Sequence, residues 1–307
     1  MVYSKAAVCI AALLCIASWW VQTEAKGVVG ILTLVLCLAL GYLLLRANRE
    51  LSLNDTKCTL PATLFYMGCA LLPDLLVLRG VGLNFALFSI ACYLLLRTYR
   101  DREAMGRYFL AFSLIGAECL MAPRLLFTLP LLVLMGAFVE SLHARSFFAA
   151  LLGLLLPYWV AFCALFLTDR VGEMAQFFDF ANAGIPSMGV FVMSGVSLPL
   201  SAFPMLWALL LALPGCVKLL LDRTLKQRAN GGYRFLMGVV AVLVLTVAVS
   251  GNLYLMLLPG ILLLSSFIGA SLFVGNRSRA KNIYLVLLLA LWLLFIYMGV
   301  WSNFATL

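Results

Sequence analysis

VVGILTLVLCLALGYLLLRANRELSLNDTK, residues 28–57, combines the two features that decide the fold of this chain. Residues 28–45 carry no charged side chain, and an α-helix of about 20 apolar residues is long enough to cross the hydrocarbon core of a bilayer. Residues 46–57 then bring Arg46, Arg49 and Lys57 together, as is typical of a short loop on the cytoplasmic face. The stretch therefore predicts a transmembrane helix that ends in the cytoplasm.

The composition extends this prediction to the whole chain. Of 307 residues, 65% are apolar and 11% are charged, and the mean hydropathy is +1.12. A soluble domain is about half apolar and a quarter charged, so soluble and disordered classes are excluded. The net charge of +9 arises from lysines and arginines that are distributed among the loops as membrane topology requires, as described below. We therefore expect no nucleic-acid partner.

Similar apolar runs recur along the chain and predict an all-α fold, a polytopic transmembrane bundle of about eleven helices. We treat residues 1–307 as a single integral membrane domain. Its longest external loop is expected at 169–190, and a basic cytoplasmic loop at 214–234. The predicted spans are 6–22, 28–45, 59–77, 82–96, 107–122, 125–141, 147–168, 190–213, 235–250, 253–274 and 283–302.

Lysine and arginine residues are distributed unequally between alternate loops. With the N-terminus in the cytoplasm, the external side receives Lys26, Arg79, Arg124 and Arg170, and the other seventeen of the 21 fall on the cytoplasmic side. This bias predicts a cytoplasmic N-terminus and an external C-terminus. Because the first run also resembles a secretory signal, cleavage of residues 1–25 stays open at this point.

The cysteines and the histidine do not predict a metal site. Most of the nine cysteines lie in apolar runs, none forms a C-x-x-C pair, and His143 is the chain's one histidine. Cysteine in such runs behaves as a small buried hydrophobic residue. We expect no metal and no cofactor, and no nucleotide-binding or hydrolase motif is present in the sequence.

Several acids and arginines fall near the external ends of predicted helices, and ionisable groups at membrane depth usually face a cavity or a partner. One hypothesis is an external pocket in which arginines hold an anionic group and a buried acid serves as general acid or base. The alternative is pairwise salt bridges between the same residues. The catalytic candidates are Glu118 and Asp74, and the ligand-binding candidates are Arg79, Arg124, Arg170, Asp169 and Glu173.

Residues 42–160 resemble a known family. A basic loop, RANRELSLNDTK, precedes an apolar pair with Pro73-Asp74. The stretch LLLRTYRDREAMGRYFLAFSLIGAECLMAPRLLFTLPLLVLMGAF follows, and then a helix with Pro157-Tyr158-Trp159. This order is similar to an uncharacterised family of polytopic inner-membrane proteins of Bacteroidetes. The resemblance implies a bacterial inner (cytoplasmic) membrane and a multi-pass chain, but no activity.

Three functions are compatible with these residues. The first is an envelope-biogenesis protein that handles a lipid-linked or anionic precursor on the external side, with membrane lipids as partners. The second is a transporter or flippase for a small or lipidic anion. The third is a non-catalytic membrane subunit of an envelope assembly. The sequence leaves open whether the chain is an enzyme.

Overall fold

The structure, a computed structural model of the chain, describes residues 4–22, 28–51, 53–54, 58–71, 81–101, 103–121, 123–172, 174, 190–193, 196–199, 202–221, 227–249, 254–274 and 279–305. The predicted helical character is confirmed over most of these residues, with the exception of the strands at 190–193 and 196–199. Four of the described helices are long and apolar enough to cross a membrane: Gly30–Leu51, Ala144–Leu167, Ala202–Leu221 and Arg279–Met298.

The described α-helices are numbered in chain order. We number them α1 Lys5–Gln22, α2 Val28–Leu51, α3 Leu60–Ala70, α4 Val81–Leu96, α5 Met105–Met121, α6 Leu129–Met135, α7 Ala144–Leu167, α8 Ala202–Leu221, α9 Gln227–Val249, α10 Tyr254–Phe273 and α11 Arg279–Ala305. Two 3-10 helices, Pro123–Thr128 and Gly136–Val139, flank α6.

The predicted helix at 190–213 is wrong in its first half. Strand β1 (Val190–Met193) pairs antiparallel with β2 (Val196–Pro199), with Val190 opposite Pro199, and α8 begins only at Ala202. The β-branched valines of this stretch favour a strand. Pro199 would have broken a continuous helix, whereas Pro204 lies in the first turn of α8, where proline is tolerated.

Several helices also extend beyond their apolar runs. α2 continues to Leu51 and includes Arg46 and Arg49. Residues 214–221 belong to α8 and residues 227–234 to α9, so the predicted basic loop 214–234 is helical at both ends. A helix can continue past the apolar segment because long basic side chains reach toward water from its last turns.

Contacts divide the chain into two interleaved units. The first contains Met1–Gly82, Pro186–Leu225 and Leu258–Leu307, and the second contains Leu83–Ile185 and Lys226–Leu257. At the centre of the first unit lies α3, whose eleven residues are all buried. A helix that is apolar on every side is expected in such a position, surrounded by other helices.

Neighbouring helices donate hydrogen bonds to the backbone carbonyls of α3. The Trp207 indole of α8 donates to Leu64 O (3.3 Å), and the Trp292 indole of α11 donates to Met67 O (2.7 Å). Ser18 Oγ of α1 donates to Ala70 O (2.6 Å). Tyr66 of α3 donates in turn to Leu38 O of α2 (2.8 Å). The buried helix is therefore joined to four others by directional bonds.

Helices α8 and α10 approach closely in the first unit. A Cβ added to Gly215 would lie 2.7 Å from Ile268 O, and one added to Gly269 would lie 2.8 Å from Leu211 Cβ. Lys218 Nζ donates to Ser271 O and, at 3.0 Å, to Val274 O, at the C-terminal end of α10. A cation in this place satisfies carbonyls that the helix itself leaves unpaired.

In the second unit, α5 and α7 pack along one another through glycines. A Cβ added to Gly153 would lie 2.2 Å from Phe109 O, and one added to Gly116 would lie 2.7 Å from Leu154 O. Small residues of this kind let helix backbones approach closely in membranes. Tyr108, near the start of α5, lies 2.9 Å from Ser141 just before the start of α7, and Cys119, near the end of α5, lies within electrostatic range of Tyr158, so the two helices run in the same direction.

The outer faces of the long helices are apolar. Phe148 (61% exposed), Trp159 (66%) and Leu167 (84%) stand out from α7, and Leu287 (61%) and Leu293 (61%) from α11. Monomeric soluble proteins rarely expose contiguous apolar surface of this kind. This surface indicates a membrane protein, in which lipid takes the place of water around the helices.

We expect Gly153→Ala to destabilise the protein by about 1–3 kcal/mol, because the added methyl group would lie 2.2 Å from Phe109 O and one of the two helices would have to shift. Gly106→Ala is the matched control, since nothing lies within 4 Å of a Cβ there. It should be neutral or slightly stabilising. Thermal denaturation in detergent measures both, and an equal midpoint for the two variants would contradict the close packing of α5 and α7.

Candidate functional site

Glu118 lies in α5 and is buried, with 4% of its surface exposed, as the sequence predicts. The Cys92 thiol of α4 and the neighbouring Cys119 thiol lie within electrostatic range of its carboxyl group. Within the described part of the chain, no hydrogen bond or ion pair reaches this carboxyl group. A buried carboxyl group without a hydrogen-bond or ion-pair partner is costly to ionise, and such a group is unusual in an apolar helix.

Asp169 and Arg170 follow the end of α7, and both are exposed. Asp169 adopts a left-handed backbone conformation (φ 56°), and the N–H of Arg170 donates to Leu165 O (2.8 Å). Tyr158 lies within electrostatic range of Cys119, next to Glu118. α7 continues for nine residues beyond Tyr158, roughly 13–14 Å along its axis, before Asp169 and Arg170 follow.

Only some of the residues of the predicted external pocket therefore lie within the described part of the chain. Asp169 and Arg170 lie together, but the described residues do not bring them to Glu118. The backbone of Arg124 belongs to the 3-10 helix Pro123–Thr128, and its side chain lies outside the described residues. Asp74, Arg79 and Glu173 also lie outside them. The assembly of these residues into one site stays a prediction.

Two apolar grooves lie between α5, α7 and the segment that connects them. Their volumes are about 550 and 800 Å³, and Leu126 and Leu154 line both. The larger groove follows α7 past Leu155 and Trp159 and reaches Met174. The smaller groove is lined by Phe112, Leu126, Leu129, Pro130, Val133, Leu142, Phe147, Ala150, Leu151 and Leu154.

Sequence reasoning missed these grooves because it predicted one continuous helix at 125–141. The chain instead forms a 3-10 helix, the seven-residue α6 and a second 3-10 helix. A segment that changes helical type cannot fill the space beside α5 and α7 as a regular helix does. Pro123 and Pro130 were the signal, because proline interrupts regular helical hydrogen bonding.

A polar junction joins the start of α5 to the start of α7. Tyr108 Oη and Thr98 Oγ1 each lie 2.9 Å from Ser141 Oγ. Ser146 Oγ donates to Ser141 O (3.0 Å) and accepts from the His143 N–H (2.7 Å). Tyr108, Thr98, Ser141 and Ser146 are all buried, so this network holds three chain segments together without any charged group.

An exposed ion pair accompanies the junction. Arg100 Nε donates to the Glu140 carboxylate at 2.5 Å, and this hydrogen bond raises the pKa of the Arg100 guanidinium above its usual range. Both residues adopt left-handed backbone conformations, with φ of 54° and 56°. Side chains this exposed contribute little to stability, because water screens their attraction.

No group of three or more metal-ligating side chains occurs among the described residues. All nine cysteines are free thiols. In the first unit, the Cys37 thiol of α2 lies within hydrogen-bonding range of the Cys15 thiol of α1 and of the Cys69 thiol of α3. Thiols buried in apolar surroundings behave chemically as inert packing groups.

No family model, no curated protein and no solved structure matches this chain.

We expect Ser141→Ala to lower the thermal denaturation midpoint clearly, at a cost of about 1–3 kcal/mol, because it leaves the buried Tyr108 hydroxyl without its Ser141 partner. The neighbouring Glu140→Gln removes only an exposed ion pair and should cost less than about 1 kcal/mol. Both variants are compared in the same detergent. If Glu140→Gln proved the more harmful, the buried network would not be what holds the junction.

Proposed function

We propose that this chain is a multi-pass protein of a bacterial inner membrane, with about eleven transmembrane helices, a cytoplasmic N-terminus and an external C-terminus. The four long apolar helices and the exposed apolar faces of α7 and α11 support the membrane location. The alternation of basic loops supports the orientation. The turn after α4, with Arg97 and Arg100, then lies in the cytoplasm, and the end of α7 lies outside.

Reporter fusions test this orientation. Alkaline phosphatase, which folds only on the external side of the inner membrane, should be inactive when fused after Asp101 and active when fused after Gly172. Green fluorescent protein fused at the same two positions should give the opposite pattern. Phosphatase activity after Asp101 would overturn the proposed orientation.

Within this membrane, we propose that the second unit handles a lipid-linked or otherwise anionic envelope precursor. The observation that supports this proposal is the pair of adjoining apolar grooves. Their volumes of about 550 and 800 Å³ fall within the range of roughly 300–1,000 Å³ that is typical of small-molecule sites. Their lining is apolar, and α7 residues of the larger groove, such as Leu152 (61% exposed), already stand at the outer surface. A lipid hydrocarbon chain is the occupant of matching chemistry.

The charge at the end of α7 favours an anionic headgroup. The larger groove reaches Met174, four residues beyond Arg170, so a chain in the groove would leave its headgroup beside that guanidinium. A guanidinium presents a planar set of donors that suits phosphate. The carbonyls of Ala164, Leu165 and Phe166 accept hydrogen bonds from the backbone N–H groups of residues 168–170. These carbonyl oxygens therefore repel an anion less than unpaired carbonyl oxygens at a helix end would.

A substitution that fills the larger groove should displace a bound lipid. We expect Leu155→Trp to reduce, several-fold, the anionic phospholipid retained by the purified protein in native mass spectrometry. Val160→Trp is the matched control, because Val160 is on the same helix, is 58% exposed and does not line either groove. Equal lipid retention by both variants would remove the support for a groove-bound chain.

A second candidate function is a transporter or flippase for a small or lipidic anion. Glu118 favours it, because ionisable residues inside membrane segments commonly mark ion or proton pathways. The two functions differ in what Glu118 does, since lipid binding in the grooves does not require it.

A further inference from the structure

The two grooves follow one face of α7. On this helix the smaller groove is lined by residues that include Phe147, Leu151 and Leu154. The larger groove is lined by residues that include Leu154, Tyr158 and Phe162. Successive members of this series are three or four residues apart, so their side chains form one row along the helix. Because Leu154 lines both grooves, they succeed one another along α7 and form one apolar path.

This path is longer than one half of a bilayer. From Phe147 to Phe162 it follows α7 for fifteen residues, roughly 22 Å along the helix axis. The hydrocarbon core of a bilayer is about 30 Å thick, so an acyl chain anchored at one surface reaches only about 15 Å into it. A phospholipid anchored at the end of α7 would therefore reach the larger groove but leave the smaller groove empty.

The far end of the path lies beside the polar junction. Leu142 lines the smaller groove and directly follows Ser141, whose hydroxyl group belongs to the buried network with Tyr108. Within the described part of the chain, no residue of α7 before Phe147 lines either groove. The path therefore ends near the start of α7, twenty residues or roughly 30 Å from Leu167 at the other end of the helix.

At the other end, a row of aromatic rings leads from the larger groove to the end of α7. The ring centroids of Trp159 and Phe162 are 5.8 Å apart, and those of Phe162 and Phe166 are 6.2 Å apart. Phe166 is the last residue but one of α7, and the exposed Arg170 follows four residues later. A hydrocarbon chain whose phosphate lies at Arg170 can therefore enter the path along a continuous apolar surface.

We propose that this path holds one long isoprenoid chain, with its phosphate at Arg170 and its far end in the smaller groove. The inference rests on the lipid function proposed above and names the class of lipid. A single chain is favoured because the grooves succeed one another along α7, whereas the two chains of a diacyl lipid need two spaces at the same depth. An isoprenoid is favoured because a polyprenyl chain can extend across both halves of the membrane, which an ordinary acyl chain cannot.

Three probes that share a phosphate group test this proposal: a long polyprenyl phosphate, the short farnesyl phosphate, and phosphatidic acid, which has two acyl chains. Native mass spectrometry in one detergent measures how much of each probe the purified protein retains. We expect the native protein to retain the long probe several-fold better than the other two. Leu151→Trp, at an exposed position of the smaller groove, should lower retention of the long probe to that of the short one and leave the short probe unaffected. Val160→Trp, which lines neither groove, is again the matched control.

Two results would overturn this inference and leave the proposed lipid function intact. Equal retention of the long and short probes would show that the chain does not reach the smaller groove. Retention of phosphatidic acid equal to that of the long probe would show that a diacyl lipid fits the path as well. Both comparisons use the native protein, so they hold even if Leu151→Trp fails to fold. If the native protein retained none of the three probes, the proposed lipid function itself would fail.

Discussion

The first unit depends on the complete burial of α3 among other helices. Every residue of α3 is buried, and its carbonyls at Leu64, Met67 and Ala70 accept bonds from the side chains of three other helices. In a hydrocarbon solvent apolar contact alone distinguishes poorly between a neighbouring helix and a lipid tail. Indole and hydroxyl donors are directional, so they fix which helices surround α3 and in what register.

In the second unit, glycine contacts and a hydroxyl network determine which helices are neighbours. Gly153 and Gly116 bring the backbones of α5 and α7 into contact, and the hydroxyls of Tyr108, Thr98 and Ser141 close a small buried network at one end. The segment 123–139, which prolines interrupt, does not pack as one regular helix beside both. The two grooves lie in the space that this irregular segment leaves beside α5 and α7.

The sequence predicts the position of most helices because an apolar run of sufficient length has few alternatives in a membrane. It predicts boundaries poorly, since α2 continues through Arg46 and Arg49, while Val190–Met193 and Val196–Pro199 pair as strands despite their apolar character. The burial of Glu118 was predictable from its place inside an apolar run. Its neighbour Cys92 was not, because contacts between helices depend on rotation about the helix axis, which hydropathy does not encode.

Glu118 differs from most buried polar groups in this chain. Asn48, for comparison, donates to Cys58 O and accepts from the Asn54 N–H, each at 3.1 Å, so its burial is compensated on both sides. A neutral buried group without a partner costs about 1–3 kcal/mol, and an ionised carboxylate costs several more. If shape and polarity alone were required at this position, glutamine would supply both without the risk of ionisation.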